Sequence, residues 1–154
     1  MNIFILDYNP MQNVKYYFDS HVVKMVTETA QILSSAYYFT GEEDLAQYKL
    51  THKNHPCCRW ARENISNWRY LYILGLCIYS EYQYRYEKEH KSGEVLLKME
   101  FPTLPKGLIT ELPKCMPEEY QCDSVVESYR KYYIYGKKEN LRKWKNREKP
   151  EWFK

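Results

Sequence analysis

Apolar residues recur with a helical period along most of the chain. Over residues 19–39 they fill one broad arc of a helical wheel, and Gly41 ends the pattern. Pro56 suits the first position of a second helix, since the missing amide hydrogen is not needed there. A long Tyr-, Leu- and Ile-rich helix is predicted over residues 66–90. The pattern therefore predicts a mainly α protein.

The segments outside these helices are less regular. The apolar run at residues 3–6 predicts a buried extended segment or a lone strand, with a turn or helix start at Asn9. Residues 91–118 are rich in glycine and proline, which predicts an ordered loop with at most a helical turn over residues 95–99. This loop is either a functional lid or an insertion.

The C-terminal part begins with a helix-start signal. Ser124 and Glu127 form a capping box, and Gly136 closes the helix that they start. Residues 137–154 predict a short basic helix that ends before Pro150. We expect a helical domain over residues 1–136 and a basic tail that docks on it or extends from it.

Length and composition narrow the fold to one compact domain. The 154 residues suit a single-domain bundle of four to six helices with a short N-terminal extended segment. No stretch approaches the ~20 apolar residues of a membrane span. The five cysteines form no C-x-x-C pair, so reduced thiols and a cytoplasmic location, in the host cell if the protein is viral, are expected.

The numbers of tyrosines and glycines and the distribution of charge indicate what kind of ligand the chain could bind. There are 17 Tyr but only 5 Gly, which suits stacking on a ligand and disfavours a glycine-rich phosphate loop. The net charge of +3 is uneven, because residues 137–154 hold eight Lys or Arg against three acids. Cations interleaved with Trp144 in this tail suit a nucleic-acid backbone, although a merely solubilising tail has the same composition.

The first candidate site is a polar stripe on the first long helix. His21, Lys24 and Glu28 lie within about 80° of one another on the wheel, beside the apolar arc. A general base, an ammonium and a carboxylate in one stripe suit proton transfer or the binding of a phosphorylated ligand. These three residues are the predicted catalytic groups. The alternative is a surface stripe with an ordinary i,i+4 ion pair.

The second candidate site surrounds the start of the helix at Pro56. Free N–H groups there attract anions, and His52, His55, Arg59 and Arg62 lie around them. A metal set of the two histidines with Cys57 or Cys58 is the less favoured alternative, because no second ligand pair of suitable spacing follows. We therefore expect no metal and no cofactor. In the plainest interpretation, His55 only caps the helix and Trp60 packs in the core.

Arginines among aromatic residues form the third candidate set. Arg85 follows Glu81 at i,i+4 in the long helix, and Tyr129, Arg130 and Tyr133 repeat the pairing in the capped helix. Such groups can bind an anionic ligand and stack on its bases. Aromatic stripes at helical spacing more often pack in a core. Arg85, Tyr129, Arg130 and Tyr133 are nonetheless predicted ligand-binding residues.

Seven short segments together resemble small proteins of tailed phages and large DNA viruses, some of which are identified as pyrimidine-dimer DNA glycosylases. The resemblance covers nearly the whole chain, and its segments are Asp7-x-Asn9-Pro10, His21-Val22-x-Lys24-Met25, Thr51-His52-x-Asn54-His55-Pro56-Cys57, Trp60-x-Arg62-Glu63, Met116-Pro117-x-Glu119-Tyr120, Tyr129-Arg130-x-Tyr132-Tyr133 and Trp144-Lys145-x-Arg147-x-x-Pro150-Glu151-Trp152. It implies a small helical fold, an N-terminal α-amine nucleophile and a nearby glutamate. Glu28 would take the glutamate's role. The bulky Asn2 normally prevents removal of the initiator methionine, so Lys24, if desolvated, would supply the amine for a Schiff base.

Three functions remain open from the sequence. The first is a phage-type enzyme that processes DNA bases or nucleotides, and the second is a sponge that sequesters nucleotide immune signals without turnover. The third is an adaptor that binds a host protein through the basic tail. A nucleotide or nucleic-acid partner is expected in the first two, no membrane in any, and a homodimer is compatible with the aromatic helical faces.

Overall fold

The computed structural model describes residues 1–154 and confirms a small all-α domain, with six α-helices and no β-strand. The helices are α1 (Pro10–Lys15), α2 (Asp19–Ser35), α3 (Pro56–Glu63), α4 (Ile65–Tyr86), α5 (Lys91–Lys98) and α6 (Val125–Lys131). Helices α2 and α4 form the central pair, and each of the others except α6 packs against at least one of them. None of the helices combines the length and the apolarity that a membrane span needs.

The N-terminal segment is extended and buried, as predicted, but it does not pair as a strand. Residues 3–6 are all buried. Their backbone groups are satisfied by side chains instead of by a sheet: Asn13 Oδ1 accepts from Leu6 N at 2.7 Å, and Tyr17 Oη donates to Phe4 O at 2.6 Å. A buried backbone needs such partners. The segment is thereby fixed against α1 and α2.

Side-chain caps explain where α1, α3 and α4 begin. Asn9 caps α1 by accepting from Met11 N at 2.9 Å, and His55 caps α3 through Nδ1. Asn64 ends α3 and at the same time caps α4 by accepting from Asn67 N at 3.0 Å. The predicted helix starts at Pro56 and after Ser124 are both present.

Two segments differ from the prediction. Helix α5 occupies two turns where a single turn was expected, because His90 Nδ1 caps it by accepting from Ser92 N at 3.2 Å. Helix α6 ends at Lys131 and continues as a π-helical turn to Gly136. Residues 99–117 form no helix. Hydrogen bonds from side chains hold this loop on the domain, since Tyr37 donates to Glu100 O and Trp60 Nε1 donates to Thr110 O.

The predicted basic helix near the C-terminus is wrong. Only a 3₁₀ turn, Glu139–Leu141, forms there, and Asn146 has a left-handed φ of 58° that interrupts any helix. The backbone bonds other elements instead, since Lys143 O accepts from Asp19 N at 2.9 Å. Trp144 Nε1 donates to Tyr16 O at 3.0 Å. The tail is therefore packed along α1 and α2.

Candidate functional site

The candidate site is centred on Glu28, on the side of α2 that faces the N-terminus. Lys24 Nζ lies 3.6 Å from Glu28 Oε1, and the α-amino nitrogen of Met1 lies 3.7 Å from Oε2. Oε2 is buried and has no hydrogen-bond partner. A buried carboxylate oxygen with free lone pairs can accept a proton or a hydrogen bond from a ligand.

The position of the Met1 amine follows from the packing of the residues after it. Asn2 Nδ2 donates to Cys115 O at 2.9 Å, and Tyr129 Oη donates to Asn2 Oδ1 at 2.8 Å. The buried residues 3–6 then hold the chain against the core. The amine is thus positioned by hydrogen bonds on one side and by apolar packing on the other.

Lys137 adds a third cation to this region. Its ammonium lies 5.0 Å from the ring centre of Phe4 and 4.4 Å from that of Tyr132. Burial lowers the pKa of Lys137, repulsion from Lys24 lowers it further, and Glu28 acts in the opposite sense. Three cations, the Met1 amine, Lys24 and Lys137, therefore lie in the same region as the single carboxylate of Glu28. The surplus suits an anionic ligand.

His21, a predicted catalytic residue, packs in the core. Its ring is stacked on Phe4 at 4.4 Å, and Nδ1 lies 2.5 Å from Tyr133 Oη. Burial lowers the pKa of His21 to about 3, and the nearby Lys137 and Lys24 contribute in the same direction. His21 is therefore neutral at pH 7. His21 is 3% exposed and Tyr133 is fully buried. Both residues are therefore placed to support the site from beneath rather than to contact a ligand.

Arg85, a predicted ligand-binding residue, has no donor left for a ligand. Its Nε donates to Glu81 at 2.8 Å and the side chain is fully buried. The remaining N–H groups go to Asp19 Oδ1 and to the carbonyl oxygens of Val14, Lys15 and Tyr17. A guanidinium has five N–H donors, and five bonds use them all. Arg85 joins α4 to the end of α1.

The residues around the start of α3 separate into different environments. His55 Nδ1 accepts from Cys57 N at 3.1 Å. Burial lowers the pKa of His55, and the N-terminal amine lowers it further while Glu28 acts in the opposite sense. Arg62 donates to the backbone and lies 3.9 Å over the Phe39 ring. His52 bonds its neighbour Thr51, and Arg59 is exposed.

Tyr129 and Arg130 leave α6 in different directions. Tyr129 is buried and positions Asn2, as described above. The guanidinium of Arg130 lies 4.9 Å over the Trp152 ring and lines a surface cavity of about 600 Å³. Lys15, Arg147 and Lys149 also line it. This second cationic surface is separate from the Glu28 site, none of whose residues lines it.

Sequence reasoning replaced the Met1 amine with Lys24, and it missed Lys137 and the group of three possible metal ligands formed by His55, Cys57 and Cys115. Cys57 Sγ lies 3.7 Å from Cys115 Sγ, and a ring nitrogen of His55 lies within 4.8 Å of both sulfurs. The contact between the sulfurs raises the pKa of Cys57 and lowers that of Cys115. No spacing rule could find the group, because Cys115 follows Cys57 by 58 residues.

No protein-family model, curated protein or solved structure matches this chain. The resemblance to phage and viral proteins therefore stays a prediction. Function is inferred below from the contacts around Glu28 and from the cavity beside Arg130.

Proposed function

We propose that the protein binds an anionic nucleotide or nucleic-acid ligand over Glu28 and cleaves a base–sugar bond of that ligand, as a glycosylase does. The observation that carries the proposal is the 3.7 Å separation between the Met1 amine and the unpartnered Glu28 Oε2. An amine beside a carboxylate is the pair that the resemblance implies. The surrounding Lys24 and Lys137 supply the charge that attracts phosphate.

The Met1 amine and Glu28 can supply the nucleophile and the proton acceptor of this reaction. In its neutral form the Met1 amine attacks C1′ of the sugar, and a C–N bond forms while the bond from C1′ to the base breaks. The electron pair of the broken bond leaves with the base, which takes up a proton from the site or from water. Glu28 accepts the proton that the attacking nitrogen releases. Opening of the sugar ring gives an imine, and water hydrolyses it to free the amine.

Lys24 is the weaker candidate for the nucleophile. A lysine becomes nucleophilic when burial removes its ammonium from water, but the Lys24 side chain is 52% exposed. The Met1 side chain is 3% exposed and its amine faces Glu28. We assign Lys24 and Lys137 to the ligand's phosphates. The assignment applies to a chain that begins at Met1, and intact mass spectrometry tests that condition directly.

Reductive trapping tests the reaction. The full-length protein is incubated with duplexes that carry a pyrimidine dimer or an abasic site, and borohydride then reduces any imine to a stable protein–DNA bond. We expect a trapped species from the unmodified chain and from Glu43→Gln, whose exposed carboxylate serves as the matched control. Glu28→Gln and a glycine added before Met1 should lower trapping at least about 10-fold. Equal trapping by all four proteins would refute the proposal.

A second candidate function is sequestration of a nucleotide in the cavity beside Arg130. The specific observation is a lining of two aromatic rings and four cations against two glutamates, in which Trp152 Nε1 is buried without a hydrogen-bond partner. Native mass spectrometry against a panel of cyclic, linear and oligomeric nucleotides tests it. Retention of an unchanged ligand that Arg130→Gln abolishes and Glu28→Gln preserves would favour sequestration. Recovery of an altered ligand would refute it.

A further inference from the structure

We infer that His55, Cys57 and Cys115 bind a divalent metal ion that prefers thiolate ligands, with Zn²⁺ as the leading candidate. Each residue offers one donor atom, and the three atoms lie within 4.8 Å of one another. Two sulfurs with one imidazole nitrogen are a typical ligand set for zinc. The inference does not depend on a nucleotide ligand and goes beyond the proposed function.

The distance between the sulfurs fits a shared ion. Two thiolates bound at about 2.3 Å to one tetrahedral ion are about 3.8 Å apart, and the Cys57 and Cys115 sulfurs are 3.7 Å apart. A disulfide would instead require a separation of about 2.05 Å. The His55 nitrogen must approach by roughly 1 Å to reach the ~3.5 Å that separates sulfur from nitrogen on such an ion.

Hydrogen bonds from outside the group hold the two cysteines in place. Asn2 Nδ2 donates to Cys115 O at 2.9 Å, and Cys115 N donates to Tyr129 Oη at 3.2 Å. Cys57 lies in the first turn of α3 and is buried. Outer contacts of this kind orient metal ligands and are as important as the ligands themselves. The site is therefore preorganised on two elements, with Asn2 and Tyr129 between them.

One of the two ring nitrogens of His55 already has a partner. Its Nδ1 accepts from Cys57 N at 3.1 Å, so ligation through Nδ1 replaces that hydrogen bond, whereas ligation through Nε2 keeps it. Three protein ligands leave a fourth position of a tetrahedral ion for water or another donor.

Metal analysis of the purified full-length chain tests the inference. The protein is expressed with added zinc, kept reduced, and desalted without a chelator before its metal content is measured. We expect one ion per chain. Cys57→Ser and Cys115→Ser should lose it, whereas Cys122→Ser, a half-buried cysteine with only local contacts, should keep it. An equal metal content in Cys115→Ser and Cys122→Ser would overturn the inference.

A second measurement does not depend on how the serine variants fold. Co²⁺ is titrated into the reduced, metal-free unmodified protein, and sulfur-to-cobalt charge-transfer absorption reports thiolate ligation. His55→Asn keeps a residue that caps helices well but is a poor ligand for such an ion. We expect it to weaken Co²⁺ binding by more than about 10-fold. Absence of the absorption band from the unmodified protein would overturn the inference, as would unchanged affinity in His55→Asn.

Oxidation is the remaining alternative and is measured on the same sample. A Cys57–Cys115 disulfide in the purified protein, with no metal uptake after its reduction, would identify a redox pair and overturn the metal site. The borohydride experiment can be interpreted whether or not the protein binds a metal, because trapping requires only the Met1 amine and Glu28. The two proposals can therefore fail independently.

Discussion

Replacement of Arg85 by methionine should destabilise the protein strongly without directly removing a ligand contact. Methionine roughly keeps the length and apolar stem of the side chain but removes all five N–H donors. Glu81 then loses its 2.8 Å partner, although it keeps two hydrogen bonds from Arg147 at 2.9 Å. The carbonyl oxygens of Tyr17 and Lys15 lose the Arg85 donor as well, whereas that of Val14 keeps a 3.3 Å hydrogen bond from Tyr17 N.

The size of the loss follows from these contacts. Removing one partner of a buried ion pair costs about 3–5 kcal/mol. Each carbonyl left without a donor costs about 1–3 kcal/mol when water cannot reach it. The Arg147 bonds to Glu81 and entry of water beside Lys15 offset part of this sum, so we expect about 3–5 kcal/mol. That is roughly a fifth or more of the ~5–15 kcal/mol that stabilises an ordinary domain.

Urea denaturation followed by tryptophan fluorescence measures the change in the free energy of unfolding. A melting curve should show a decrease in Tm of about 6–20 °C, at the ~2–4 °C per kcal/mol expected for this chain length. Arg59→Met is the matched control, since Arg59 is exposed and makes no ion pair. A loss below about 1 kcal/mol in Arg85→Met, or a loss equal to that of the control, would refute the structural role that we assign to Arg85.

Four further predictions concern pH, catalysis and the tail. Burial raises the pKa of Glu81, but hydrogen bonds from Arg147 and Arg85 lower it below its usual value. The stability that ionised Glu81 contributes is therefore present above about pH 4.5 and is lost as pH falls. Glu81→Gln should flatten the profile of stability in urea against pH below about pH 5. His21, with a pKa lowered to about 3, should make unfolding easier as pH falls from about 6.5, and His21→Phe should remove that slope. Glu28→Gln should lower single-turnover cleavage at least about 10-fold without changing nucleotide retention as much. Deletion of residues 137–154 should lower Tm, because Phe153 is buried and Trp144 bonds Tyr16 O, and an unchanged Tm would contradict the docked tail.

Much of the fold could be predicted because its signals are local. The cap at Ser124 and the proline at position 56 fix helix starts through groups within three residues of each other. Gly93 misled the prediction at α5. A Cβ there would lie 2.3 Å from the Tyr79 ring, so the glycine serves close packing within a helix instead of ending one. Only the tertiary structure shows that contact.

The tail and the site depended on contacts that no local pattern encodes. The tail's cations suggested a short basic helix that docks on the domain or extends from it, but the tail is bound in a non-helical form, since Glu81 of α4 accepts from Arg147 and Asp19 accepts from Lys145 N at 2.7 Å. On α2, the side chains of Lys24 and Glu28 lie together, as the wheel places them. The third member of that stripe, His21, lies one turn earlier and faces the Phe4 ring, because the wheel places it at the edge of the apolar arc.

The same hydrogen bonds serve the site and the fold, and this has a consequence for any variant near the N-terminus. Asn2 joins Cys115, Tyr129 and the first buried residues of the chain. A change at Asn2 therefore displaces the Met1 amine from Glu28 and loosens the segment that carries Cys115 at the same time. Loss of activity in such a variant cannot be assigned to either group alone. Glu28→Gln and His55→Asn separate the two effects. Glu28→Gln keeps the shape of the side chain and His55→Asn keeps a helix-capping residue, so each variant alters one chemical group.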